Sequence, residues 1–141
     1  MTAKEYLEQI DKLDALIKNK LIELEQWKSV AFGITAQMGG DRVQSSGDQQ
    51  KMASAIAKYI DIEREIDASI DRLVDLRNEV ISTIEQLKKE EYELLHLVYV
   101  QQLSLRDAAD KMSYSYSWAT WAHGKALLNV QKIIDKRKNI V

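Results

Sequence analysis

Apolar residues recur along the first thirty positions at intervals of three and four: Leu7, Ile10, Leu13, Ile17, Leu21, Leu24 and Trp27. That spacing places them on one stripe of a helix from about Thr2 to Ala31. Thr2, with Glu5 three residues later, has the form of a capping box at its start. A second periodic stretch is longer. Met52, Tyr59, Ile66, Leu73, Val80 and Leu87 stand at strict seven-residue intervals, with Ile56, Ile70 and Ile84 at a companion heptad position. Heptads of this kind predict a coiled-coil seam, which needs a partner within the chain or from a second copy. Glu63 and Arg77 take the companion position in the alternate heptads, and charges there set register or partner choice at some cost in stability. Between the two helices, Phe32 to Gln50 holds four of the five glycines. It reads as a connection of nearly twenty residues, with Ser46 or Asp48 as the N-cap of the second helix. It lacks the Gly-Lys-Ser/Thr ending of a phosphate-cradling loop, and no strand pattern precedes it.

Past Leu87 the rhythm changes. Lys88, Lys89, Glu90 and Glu91 break it, and Tyr92, Leu95, Val98 and Tyr99 then form one face. Ser104 is a ready N-cap with Asp107 at the third helical position, and Ser115 is another, so helices of roughly ten, nine and twenty residues follow. The chain thus divides into residues 1–88, two long helices joined by the glycine-containing loop (about 32–50) as a coiled-coil hairpin for oligomerisation, and residues 89–141, a module of short helices. Within that module the residues fit a helix-turn-helix, which needs a small residue at the crossing, apolar inward faces and a tight turn. With the first helix starting at Leu105, Ala109 sits at the crossing, Ala108 and Met112 face inward, and Ser113 takes the turn where glycine is usual. Tyr114 becomes the buried turn hydrophobe. Ala119, Ala122 and Ala126 form the inner row, leading into Val130 and Ile133.

Composition narrows the class without changing this all-α picture. The 141 residues include no proline and no cysteine, and 30% are charged. Disulfides and thiolate zinc sites are therefore excluded, and two histidines are too few for a metal centre without carboxylates. Glu63, Arg64, Asp67, Asp71 and Arg72 alternate in the manner of solvated salt bridges on a helix face, not of a desolvated acid–base pair. We expect no catalytic residue, no cofactor and no metal site. The absence of an apolar leader pattern and of a long apolar run predicts a cytoplasmic protein with no membrane partner. Charge is uneven: residues 1–90 carry a net −4, whereas 104–141 hold seven basic and three acidic residues, a net +4. That C-terminal end is the part that favours a polyanion.

The segment LSLRDAADKM followed by YSYSWATWAHGKALLNV resembles region four of housekeeping sigma factors. Taken with YLEQIDKLDALIKNKLIELEQW, MGGDRVQSSGDQQKMASAIA and DIEREIDASIDRLVDLRNEVISTIEQL, nearly the whole chain is similar to small prophage proteins of Gram-positive bacteria of the ArpU/RinA-like late transcriptional regulator type. The resemblance implies a regulator of phage late genes that binds double-stranded DNA as a homodimer through its coiled coil, with host RNA polymerase as a possible partner by analogy. It places Tyr116, Ser117, Thr120 and Trp121 toward the major groove, and Arg106, Lys111, Ser115 and Lys125 against phosphates. The family pattern implies a basic residue near Ser117 and Trp121, where this chain has neither; arginine is the commonest reader of guanine. For Trp118 and Trp121 two readings stay open, groove contact or packing against Tyr92, Tyr99 or a second subunit. His123 reads as a phosphate contact or a core-edge residue, His96 as structural, and the tail DKRKNIV as a solvated end or a phosphate contact. Two further functions stand beside the regulator: an oligomeric packaging protein of small-terminase style with a degenerate helix-turn-helix, and a coiled-coil adaptor.

Overall fold

A computed structural model describes residues 1–38 and 46–139, with residues 34–38, 46 and 48 described by their backbone alone. The fold is all-α, and no strand occurs among the described residues. Its helices are α1 (Ala3–Met38), α2 (Ser46–Ile84), α3 (Lys89–Leu95), α4 (Leu105–Met112) and α5 (Tyr116–Lys138), and α3 continues into a π-helical turn, His96–Val100. The capping box forms: the Glu5 amide donates to Thr2 Oγ1 at 3.2 Å, and the Thr2 amide donates to Glu5 Oε2 at 3.4 Å. The long connection does not. Both helices continue into the glycine-bearing stretch, leaving residues 39–45 between them, because one helical glycine such as Gly33 costs only about 1 kcal/mol against alanine. The side chains of Ser46 and Asp48, on which the expected cap rests, are not among the described parts of the chain.

Contacts divide the chain into two compact units, Asp14–Arg72 and Met1–Leu13 with Leu73–Val141. In the first, α1 and α2 pair through Ile17 on one side and Ala55, Ile62, Ile66 and Ser69 on the other, all buried. This corrects the expected seam over residues 52–70, whereas in the last heptad Val80 and the expected companion Ile84 are both buried. The buried companions of Met52, Tyr59 and Ile66 stand three residues after them, not four, and Ile56, Glu63 and Ile70 are exposed. Positions three and four residues on lie to the left and right of a heptad position, about 100° apart around the helix, so the placement of α1 decides which of them it covers. It covers the side with small Ala55 and Ser69. On α1 the same preference leaves Leu21 exposed and draws in Lys20, whose ammonium forms an ion pair with Glu65 of α2. Bonding to Lys20 holds the Glu65 carboxyl below its ordinary value.

The second unit is built around two buried clusters. One joins Ala3, Tyr6, Leu7 and Ile10 of α1, Val80 and Ile84 of α2, Leu95, Tyr99 and Val100, and Ala126, Val130 and Ile134 of α5. The inner row of α5 thus continues to Ile134, not Ile133, which is half-buried. Leu87 lies past the end of α2, half-buried against this cluster. The other cluster joins Leu94 and Leu97 to Ala108, Ala109, Ala119 and Ala122. Because α3 and its π-turn pack on both, the buried set Leu94, Leu95, Leu97, Tyr99 and Val100 is broader than the single face expected, and Tyr92 and Val98 are half-buried. Polar bonds close the unit. The Ala3 amide donates to Gln131 Oε1 at 2.7 Å. The buried Thr83 hydroxyl donates to the Glu79 carbonyl at 3.0 Å and receives Arg137 Nη2 at 2.7 Å, with the Tyr6 hydroxyl 3.0 Å away. Arg137, read from sequence as part of a basic tail, is tied to the core by this bond.

Candidate nucleic-acid interface

Two serines start the helices of this region. Ser104 Oγ accepts from the Asp107 amide at 3.0 Å, and Ser115 Oγ from the Trp118 amide at 3.1 Å, each satisfying a donor that a helix start leaves open. Between the helices Ser113 takes a left-handed conformation, φ 63° and ψ 35°, and its amide and that of Tyr114 bond back to Asp110 and Ala109 carbonyls. Side chains here stop at the β-carbon where the second cluster needs closeness: Ala108 and Ala109 of α4 and Ala119 and Ala122 of α5 are all buried. Their burial on one side of α5 leaves its other side to solvent.

Tyr114 departs from the expectation. It is 43% exposed and stacks on Trp118 with ring centroids 4.0 Å apart and planes at 20°. A row of closely approached alanines leaves no volume for a phenol ring, so Tyr114 covers Trp118 instead of entering the core. Trp118 is accordingly half-buried against the second cluster, and its aromatic partner is Tyr114 and neither Tyr92 nor Tyr99. Trp121 is 61% exposed.

The other residues expected at a DNA surface, Arg106, Lys111, Ser115, Tyr116, Ser117, Thr120 and Lys125, are exposed too. Two cation–aromatic pairs order this surface: the Arg106 guanidinium lies 4.6 Å from the Tyr116 ring centroid, and Lys125 Nζ lies 4.9 Å from that of Trp121. Such pairs hold a flexible cation in place without neutralising it. Two hydroxyls are used inside the helix, Ser115 as the cap and Thr120 donating to the Tyr116 carbonyl at 3.0 Å.

His123 sits at the core edge. Its Nε2 lies 2.7 Å from the Tyr99 hydroxyl, and the two rings stack with centroids 5.7 Å apart. Burial holds the imidazole below its ordinary pKa, with Lys4 adding to the effect, and burial pushes the Tyr99 hydroxyl up to about 12. The imidazole and the phenol share this hydrogen bond, its direction set by the imidazole tautomer. His96 pairs with the Gln101 side chain at 3.0 Å and tilts against Tyr92.

One residue escaped the sequence reading. Glu91, inside the charged break, is 6% exposed, and Asn129 Nδ2 donates to its two oxygens at 3.1 and 2.8 Å. A lone carboxylate beside three charged residues gives no local sign of burial; its amide partner lies 38 residues on. Among the described residues no group of three His, Asp or Glu side chains is placed to hold a metal, and no helix is long and apolar enough to cross a membrane. Comparison of the chain with protein-family models, with curated proteins and with solved structures finds no match.

Proposed function

We propose that this chain is a phage-encoded, DNA-binding regulator of late-gene transcription of the ArpU/RinA-like type, acting in the bacterial cytoplasm as a homodimer. The observation that carries the reading is the two-sidedness of α5. Its Ala119 and Ala122 are buried with Ala108 and Ala109 of α4, while Tyr116, Ser117, Thr120, Trp121 and Lys125 stand in solvent with Arg106 and Lys111 of α4. A helix docked that way by its inner row has its outer face free for the major groove. In this reading Arg106, Lys111, Lys125 and the Ser115 end of α5 engage phosphates, Tyr116 and Ser117 touch base edges, and Trp121 presses on a thymine methyl or a sugar. Host RNA polymerase is a further partner by analogy with the sigma factor. Dimerisation draws support from the Asp14–Arg72 unit, where Leu21, Ile22, Val30, Phe32, Ile56 and Ile60 are exposed, side chains that pairing with a second copy would cover.

Titration of labelled prophage promoter DNA, followed by anisotropy between about 50 and 200 mM salt, tests the reading. Salt-sensitive binding weakened several-fold by Trp121→Ala is expected, and absence of binding at the lowest salt overturns it. The packaging reading is favoured by one feature, the lack of a guanidinium at Ser117 and Trp121. Light scattering separates the two, a dimer for the regulator and a ring of eight or more copies for packaging.

A further inference from the structure

Sharing Trp121 and Lys125 with the face assigned above is a cleft of about 330 Å³, lined also by Tyr114, Trp118, Ala122, Lys88, Glu90 and Glu91. Its volume is at the lower end of the roughly 300–1,000 Å³ common for small-molecule sites, enough for one base with its sugar and phosphate. Three kinds of group converge there. Trp121 offers an exposed ring, able to stack on a planar ligand. Lys88 and Lys125 supply two cations, with the exposed Glu90 carboxylate lining the same cleft. Glu91 supplies a buried carboxylate, fixed by Asn129. Among the described residues it forms no ion pair with a lysine or arginine, and Asn129 fills only part of a carboxylate's four or so acceptor positions.

We propose that this cleft binds a guanine base carrying a phosphate. A carboxylate accepts and cannot donate, so it selects the base whose pairing edge presents two neighbouring donors. Guanine does so with N1–H and its 2-amino group. Adenine and cytosine set a ring-nitrogen acceptor beside their amino donor, and thymine flanks its one N–H with carbonyls, so each of them brings a lone pair toward the carboxylate. The base stacks on Trp121, Glu91 receives the guanine edge, and Lys88 and Lys125 take the phosphate, Lys125 leaving its place above the Trp121 ring to do so. The ligand is a free guanine nucleotide or an unpaired guanine in a strand, and its binding does not depend on the duplex reading above.

The test titrates the full-length protein with guanosine monophosphate, adenosine monophosphate and guanosine, read by tryptophan fluorescence and calorimetry. Saturable quenching is expected with the guanine nucleotide, at least tenfold tighter than with adenine and at least threefold tighter than with unphosphorylated guanosine. Glu91→Gln is expected to bring guanine and adenine within about threefold, and Lys88→Ala to remove the preference for phosphate; circular dichroism confirms that each variant folds. If Glu91→Gln does not fold, Trp121→Ala replaces it, with loss of binding expected. A second arm uses single-stranded oligomers of deoxyguanosine interrupted by thymidine, against the same oligomers with deoxyadenosine. Binding of the oligomer without the free nucleotide assigns the source to a strand, and the converse assigns a diffusible nucleotide. Equal affinity for guanine and adenine in both arms, or no saturable binding in either, overturns the proposal. Duplex binding measured on the same samples keeps this result distinct from the fate of the regulator reading.

Discussion

Ser113 holds a left-handed backbone, φ 63°, that a residue with a β-carbon adopts at a cost of about 1 kcal/mol. Ser113→Gly is therefore expected to raise the unfolding free energy by roughly 0.5–1 kcal/mol, read as a shifted urea midpoint with unchanged slope. The position was legible in sequence, since Ser113 stands between an alanine helix and a capping serine. His123 was not, because Tyr99, its hydrogen-bond partner, lies 24 residues away. Burial lowers the folded-state pKa of His123, so the unfolded chain binds more protons than the folded one between that lowered value and the ordinary 6.5 or so. The stabilisation is fully present above about pH 6.5 and is lost as the pH falls toward the folded-state value. Thermal midpoints are expected to drop between pH 7.5 and 5.5, and His123→Gln to flatten that slope; an unchanged slope would show that His123 contributes nothing to it.

Among the elements, α2 carries two candidate stripes of similar hydropathy over residues 52–70, and α1 buries one of them. Ile62, 3% exposed, belongs to the buried stripe, and Ile56, 41% exposed, to the other. Ile62→Ala is expected to cost about 2–5 kcal/mol by cavity formation, whereas Ile56→Ala stays within about 1 kcal/mol because a largely solvated side chain leaves no cavity; equal losses in chemical denaturation would return the seam to the stripe of Ile56 and Ile70. The helix existed in the sequence, as its heptads show, but its facing was not written in it. With Glu63 between Ile56 and Ile70, and Ile62 between Ala55 and Ser69, the two sides are about equally apolar, so hydropathy alone does not choose between them. The turn between α4 and α5 follows opposite logic. Its alanines are small because the helices meet closely, and Ala109→Leu is expected to destabilise the fold by roughly 1–3 kcal/mol through overpacking, seen as a lowered denaturant midpoint.

At the scale of the whole molecule, the proposed dimer would couple two weak DNA-facing modules by raising the effective concentration of the second once the first has bound. On the proposed reading, Ile22→Asp with Phe32→Asp should give a monomer of unchanged helicity and weaken binding to paired half-sites by an order of magnitude or more; a dimer retained in sedimentation would move the association surface elsewhere. Tertiary closure depends on bonds between distant parts of the chain. Ala3 meets Gln131, 128 positions on, and Thr83 meets both Tyr6 and Arg137. By itself the sequence determined what short-range physics controls: an all-α chain, the caps at Thr2, Ser104 and Ser115, the left-handed turn, and the alanine row of α5. Each follows from groups within four residues of one another. The tertiary structure alone decided which heptad companion is buried, that Lys20 displaces Leu21, that Tyr114 covers Trp118 from outside, and that Glu91 is enclosed. In each case the energy depends on a surface supplied by another helix or across a turn, and local hydropathy carries no record of that surface.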